Sequence, residues 1–213
     1  HNKDQTYFLC QLNQNQLNNS LFPIGELTKP EVRQIAEELD LPVAHKKDST
    51  GICFIGERDF REFLKNYIPA KSGKMVDIVS KKVIGEHQGI MYYTIGQRKG
   101  LGIGGNGEPW FVVGKDYDKN ILYIAQGDSN KWLLSHGALI TDVNWVSATK
   151  PEGEYDCTAK FRYRQRDNDV SLHFIDETTL YVTFKKPIKA VTPGQAAVFY
   201  DGDVCLGLSL IHI

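Results

Sequence analysis

Residues 69–73, Pro-Ala-Lys-Ser-Gly, divide the chain into two textures, and any fold must accommodate both. Proline cannot continue a helix, and glycine weakens helix and strand interiors alike. Before this break the apolar residues recur with helical period. Val32, Ile35, Ala36 and Leu39 stand at i, i+3, i+4 and i+7, and Thr28 with Glu31 forms a capping-box pattern ahead of them. The spacing predicts a helix ended by residues 40–42, and Phe60, Phe63, Leu64 and Tyr67 predict a second over 57–66. The Asn/Gln-rich stretch 11–19 reads as a solvated helix surface or loop.

Beyond the break, short apolar runs are punctuated by glycine. Runs 74–79 and 82–84 read as a hairpin about Ser80-Lys81, and 110–113 and 121–125 as strands around a turn at 115–120. Further strands are predicted over 138–145, 155–164, 170–175, 179–184, 196–200 and from 204 onward, with Asp201-Gly202 as a hairpin turn. Six short strands with regular turns predict a small closed barrel or sandwich. The expected fold class is α+β and mostly β. The expected domains are a helical part at 1–69, a small central β domain at 70–130 and a C-terminal six-stranded β domain, barrel or sandwich, at 131–213.

The helical part carries the run Asp48-Ser49-Thr50-Gly51-Ile52-Cys53-Phe54-Ile55-Gly56-Glu57-Arg58. Glycines on both sides of Cys53 allow close approach of backbone and ligand, and charged residues with a following helix favour a thiolate. The four cysteines, Cys10, Cys53, Cys157 and Cys205, are far apart and form no CxxC pair. That spacing argues against a zinc ribbon or a disulfide scaffold and fits a reducing, cytoplasmic setting. Cys10 reads as helix core and Cys157 and Cys205 as barrel core. His87, beside Glu86, reads as a satisfied structural histidine, and no metal site is expected.

A net charge of -1 gives no global sign of nucleic-acid binding, so any basic patch must be local. Lys160-Phe161-Arg162-Tyr163-Arg164-Gln165-Arg166 supplies one. If it is a strand, Lys160, Arg162, Arg164 and Arg166 share a face. Two readings are open: a surface for a phosphate backbone, or a solvated outer face balanced by Asp167, Asp169 and Asp176. The glycine-rich stretch 96–105, with Arg98 and Lys99, lacks the GxxxxGK[ST] pattern. It reads as a tightly turned loop, with a backbone contact to RNA left open. No apolar run reaches membrane-spanning length and no signal peptide is visible.

Six stretches together resemble the tRNA-specific 2-thiouridylase family: Lys3-Asp4-Gln5-Thr6-Tyr7-Phe8-Leu9, Leu21-Phe22-Pro23-Ile24-Gly25, the Cys53 run, 85–105, Arg162-Tyr163-Arg164-Gln165, and 192–200 with its Thr-Pro-Gly-Gln turn. The resemblance implies three parts: an α/β ATP-pyrophosphatase domain, a central β domain and a C-terminal β-barrel. The SGGxDS signature of the first part is absent, as is that family's first catalytic cysteine. The chain opens His1-Asn2-Lys3 without Met and is expected to be a fragment of a longer protein.

The family's reaction replaces the C2 oxygen of the wobble uridine of tRNA by sulfur. ATP, with Mg2+ expected beside it, adenylates that oxygen, and a cysteine persulfide then delivers the sulfur. By resemblance Cys53 is the persulfide cysteine. The cysteine that cleaves the persulfide, or pairs with it as a disulfide, lies outside this chain, as does the ATP loop. Lys3, Asp4, Gln5, Arg162, Tyr163 and Gln195 are the implied tRNA contacts. The implied partners are tRNA and a sulfur-donor or relay protein. The fragment alone is expected to be inactive. The competing reading is an RNA-binding module with an incidental cysteine, and a metal-binding protein has little in its favour.

Overall fold

The computed structural model describes residues 6–47, 63, 66–147, 149–163 and 165–212. The chain forms two compact units, Asn15–Pro69 and a larger one made of His1–Gln14 with Ala70–Ile213.

In the smaller unit the predicted helix is present as α3, Lys29–Glu38; the larger unit contributes α1, Thr6–Leu9, and α2 spans Gln14–Asn18. Thr28 donates both its backbone N–H and its hydroxyl to Glu31 Oε2, each at 2.6 Å, and Pro30 occupies the first turn. These bonds satisfy the otherwise orphaned start of the helix and hold the Glu31 carboxyl below its usual pKa. Of the apolar stripe, Val32 and Ala36 are half-buried while Ile35 and Leu39 are exposed. The helix predicted over 57–66 and the Cys53 run lie outside the described residues, apart from Phe63 and Asn66.

The larger unit is built on two sheets. The first holds β1 (Gly73–Asp77), β2 (Val83–His87), β3 (Trp110–Asp116) and β4 (Ile121–Gln126) in the order β2-β1-β4-β3. The hairpins β1–β2 and β3–β4 are antiparallel, and β1 and β4 join them in parallel. Met75, Val112, Leu122 and Ile124 fill one face with Ile90, Tyr93 and Leu101. On the other face Phe111, Val113 and Ala125 pack with Leu133 and Ala190, which belong to the barrel side of the unit.

The second sheet closes on itself. Strands β5 (Leu134–Thr141), β7 (Glu154–Lys160), β8 (Asn168–Phe174), β9 (Thr179–Lys189), β10 (Ala196–Asp201) and β11 (Val204–His212) run in the order β10-β7-β8-β9-β5-β11, and β11 pairs back to β10. This is the expected six-stranded barrel. A two-residue strand, β6 (Asn144–Trp145), pairs on the side of β11. Alternation drives closure. In β9, Leu180, Val182 and Phe184 point into a core shared with Phe161, Leu172 and Phe199, while Tyr181, Thr183 and Lys185 face out.

Three strand boundaries differ from expectation. The run 138–145 breaks because Asp142 turns to φ 54° and donates its N–H to the Thr178 carbonyl. β9 continues past 184 through Pro187; its pairing with β8 ends at Phe184, so the proline needs no ladder donor there. β7 stops at Lys160. The Phe161 N–H is taken by Gln165 Oε1 at 2.8 Å, and Gln165 N–H returns to the Arg162 carbonyl at 3.1 Å.

Strand β10 is buried on both faces. Ala197 and Phe199 face the barrel core; Val198 and Tyr200 face a second cluster with Cys10, Leu208, Tyr7 and Cys205. The N-terminal stretch therefore lies on the barrel. Asn144 Nδ2 donates to the Cys10 carbonyl at 3.0 Å, Gln14 Nε2 to the Val146 carbonyl at 2.8 Å and Tyr7 Oη to the Ala196 carbonyl at 3.1 Å.

Candidate nucleic-acid interface

The turn that ends β7 aims Arg162 away from the strand face where alternation would put it. Its Nη2 donates to the Ile95 carbonyl, beside the first sheet, and to Thr192 Oγ1 at 3.0 Å. Thr192 in turn donates to the Ala190 carbonyl at 2.9 Å. The guanidinium thus bridges the first sheet and the corner between β9 and β10. Gly96 permits this approach, since its φ is 81° and a Cβ there would stand 2.5 Å from that of Ala190 and 3.6 Å from Arg162 Nη2. Half-burial lowers the Arg162 pKa by desolvation, with Tyr7 acting in the opposite direction. The group remains a cation at every physiological pH. Arg162 Nε is buried and has no hydrogen-bond partner among the described residues.

The expected file of four cations does not form on one strand face. Lys160 stays in β7, with Nζ 4.9 Å from the centre of the Tyr200 ring and 3.6 Å from Asp167 Oδ1. Arg166 is exposed past the turn, and Arg164 lies outside the described residues.

Tyr163 points to the N-terminal segment. Its ring centre is 4.7 Å from that of Phe8 and 6.0 Å from that of Tyr7. Burial raises the Tyr7 pKa, keeping its hydroxyl a donor to Ala196. Gln195 is exposed on a turn fixed by its own N–H to the Thr192 carbonyl, at 3.2 Å. Ile211 N–H holds the Gln195 carbonyl at 2.9 Å, and Gly194 takes φ 76°. The fold therefore brings Arg162, Tyr163 and Gln195 to one corner, linked through Thr192, Tyr7 and Ala196. Lys3, Asp4 and Gln5 lie outside the described residues, as does Cys53. Sequence reasoning did not single out Tyr7, Phe8, Ile95 or Thr192. The Thr-Pro-Gly-Gln turn was a visible signal for Thr192; the Ile95 carbonyl has no side-chain signature at all.

The three described cysteines are free. Burial pushes the Cys10 thiol up to about 11 and Cys157 up to about 12, and raises Cys205 as well. None is a thiolate at neutral pH. His87 is buried; its Nδ1 accepts from Gly89 N–H at 3.2 Å, so Nε2 carries the proton and donates to the Asn120 carbonyl at 3.1 Å. It is a structural histidine. Among the described residues no group of three or more His, Cys, Asp or Glu side chains could hold a metal ion. None of the described helices is long and apolar enough to cross a membrane.

Three family profiles cover most of the chain in order. Residues 1–57 match a tRNA methyl transferase HUP domain, 61–126 a tRNA methyl transferase PRC-barrel domain and 135–211 an aminomethyltransferase beta-barrel domain. The tRNA-specific 2-thiouridylase MnmA of Bacillus cytotoxicus is 60% identical over 206 residues, 97% of this chain. Those of Bacillus cereus and Bacillus anthracis are 59% identical over the same length. The chain belongs to the tRNA-specific 2-thiouridylase family. It spans about half the length of these relatives, 55% in each case. Within the family frame, the first sheet falls in the PRC-barrel match and the closed barrel in the aminomethyltransferase-type match, so the Arg162 bridge joins the two matched regions.

Proposed function

We propose that the protein to which this chain belongs is a tRNA-uridine 2-sulfurtransferase. On this reading it thiolates the wobble uridine of tRNA using ATP, and Cys53 carries the sulfur as a persulfide. The observation that carries the reading is the near-60% identity to 2-thiouridylases over 97% of the chain. The raised thiol pKa values of Cys10, Cys157 and Cys205 support Cys53 as the reactive sulfur, since each of those three is held protonated by its surroundings.

The terminal persulfide sulfur attacks C2 of the uridine and the C2–O bond breaks. ATP supplies the adenylyl group that makes this oxygen a leaving group, with Mg2+ as its counter-ion; the residues that hold them lie outside this chain. The S–S bond of the persulfide is then cleaved by a second cysteine, also outside this chain, which leaves the two sulfurs as a disulfide. A sulfur-donor protein reloads Cys53 after reduction. The setting is cytoplasmic.

The tRNA contacts are Lys3, Asp4 and Gln5, which precede α1 in sequence, with Arg162, Tyr163 and Gln195. Arg162 suits a phosphate because its guanidinium is a permanent cation that is only half-buried. The chain by itself is expected to bind tRNA without thiolating it.

The test is Cys53→Ser in the full-length protein, with mass spectrometry of the persulfide and of the tRNA product. Loss of both is expected. Normal persulfide and normal 2-thiouridine would overturn the role of Cys53. Conversion of uridine to 2-thiouridine by the isolated chain, given ATP and a sulfur donor, would overturn its predicted inactivity.

A further inference from the structure

We propose that Arg98 and Lys99, on the glycine-rich loop beside the first sheet, form a second phosphate-binding site for the tRNA backbone. This inference rests on the reading of the chain as tRNA-binding.

The loop is anchored at both ends and bare at its tip. At its root Gly96 N–H donates to the Val112 carbonyl at 2.7 Å, and Val112 N–H to the Gln97 carbonyl at 3.0 Å. The Gln97 side chain ties the loop to itself: Oε1 accepts from Thr94 N–H at 3.0 Å and Nε2 donates to the Lys99 carbonyl at 2.9 Å. Leu101 is buried in the core of the first sheet and fixes the far end. Between these anchors Arg98 and Lys99 are exposed, and neither side chain has an ion-pair or hydrogen-bond partner among the described residues.

The backbone repeats the pattern. Among the described residues, no hydrogen bond takes up the N–H groups of residues 98–105. Gly100, Gly102 and Gly105 have positive φ, and side chains at Gly102, Gly104 and Gly105 would meet open space. Two exposed, unpaired cations on the same loop as a run of unpaired amide donors, with open space at Gly102, Gly104 and Gly105, favour an anion. The stretch lacks a P-loop pattern and no enclosed cradle is built around it, so a polymer phosphate fits better than a nucleotide.

Position ties the loop to the barrel corner. Ile95, at its root, is the residue whose carbonyl Arg162 grips, and Gly96 lies against both Ala190 and Arg162. Arg98 is two residues farther along, at most about 7 Å of chain. That is the scale of the step between neighbouring phosphates, so one strand laid over the Arg162–Gln195 corner reaches Arg98 and Lys99 within one or two nucleotides.

The test measures binding of an unmodified tRNA transcript to the chain across a salt series, for wild type, Arg98→Gln/Lys99→Gln and the charge-preserving swap Arg98→Lys/Lys99→Arg. Each lost phosphate contact lowers the slope of log affinity on log salt by about 0.7–0.9, so the Gln pair should flatten it by about 1.5. Between about 50 and 200 mM salt, the wild-type loss of affinity should exceed that of the Gln pair by about tenfold. The swap should keep the wild-type slope. A wild-type slope in the Gln pair overturns this inference alone. An affinity of wild type for the tRNA that does not respond to salt, or no binding, overturns the tRNA reading and this inference with it. Circular dichroism of both variants should match wild type, because both side chains are solvent-exposed.

Discussion

Arg162 donates to the backbone carbonyl of Ile95, sixty-seven positions earlier in the chain. One side chain from the end of a barrel strand thus holds the loop next to the other sheet, and the same guanidinium is the phosphate contact proposed above.

Arg162→Ala should therefore have two effects. Loss of the charged hydrogen bonds to Ile95 and Thr192 should lower stability by about 1.5–3 kcal/mol in urea denaturation. It should also weaken tRNA binding and flatten its salt dependence. Arg162→Lys should restore much of the charge but not the two-point grip. If neither affinity nor salt slope changes in the Ala variant, Arg162 acts only as the bridge between sheets.

Gly73→Ala should be among the most damaging single changes in the first sheet. The added Cβ would stand 2.6 Å from Asn120 Nδ2 and 2.7 Å from His87 Nε2, and closer still to the Asn120 carbonyl. Overpacking of this kind costs about 1–3 kcal/mol, and here it also displaces the buried His87 hydrogen bond. Gly104→Ala, where a Cβ meets open space, should stay within about 0.5 kcal/mol of wild type. Thermal melts of the two variants compare them directly.

Phe161→Ala should destabilise the barrel by about 3–5 kcal/mol. The ring is fully buried and its centre lies 4.8 Å from that of Phe184. Because Phe161 sits immediately before Arg162, hydrogen exchange should also rise in the Ile95 loop. Protection there equal to wild type would separate the core from the bridge.

The thiols set an alkaline limit. Cys10 and Cys157 have folded pKa values of about 11 and about 12, against 9.0 in ordinary surroundings. Their folded values are raised, so their contribution is complete below pH 9 and is lost as pH climbs through 11 to 12. Stability should fall over that window, and less steeply in Cys10→Ala/Cys157→Ala. At neutral pH iodoacetamide should label Cys53 first, read by peptide mass spectrometry. Faster labelling of Cys10 or Cys157 would count against the covered thiols described above.

Much of the architecture was legible in the residues. Thr28 and Glu31 announced the start of α3, because a capping box is a local arrangement of four residues. Asp201-Gly202 announced the β10–β11 hairpin in the same way, and the apolar run 179–184 marked the first part of β9. The break at Asp142 and the passage through Pro187 were not legible. The first depends on Thr178, a distant acceptor; the second on where β8 stops pairing.

The candidate site divides along the same line. Sequence by itself determined that Cys53, Arg162, Tyr163 and Gln195 are the residues to consider, that the chain is mostly β, and which family it belongs to. Only the tertiary structure decided that Arg162 leaves the strand face to hold Ile95, that Tyr163 rests on Phe8 and Tyr7, and that the N-terminal segment covers β10. The reason is physical. Alternation and capping are short-range and leave a periodic trace, whereas a guanidinium satisfied by a backbone carbonyl depends on chain closure, and every residue type carries that carbonyl alike.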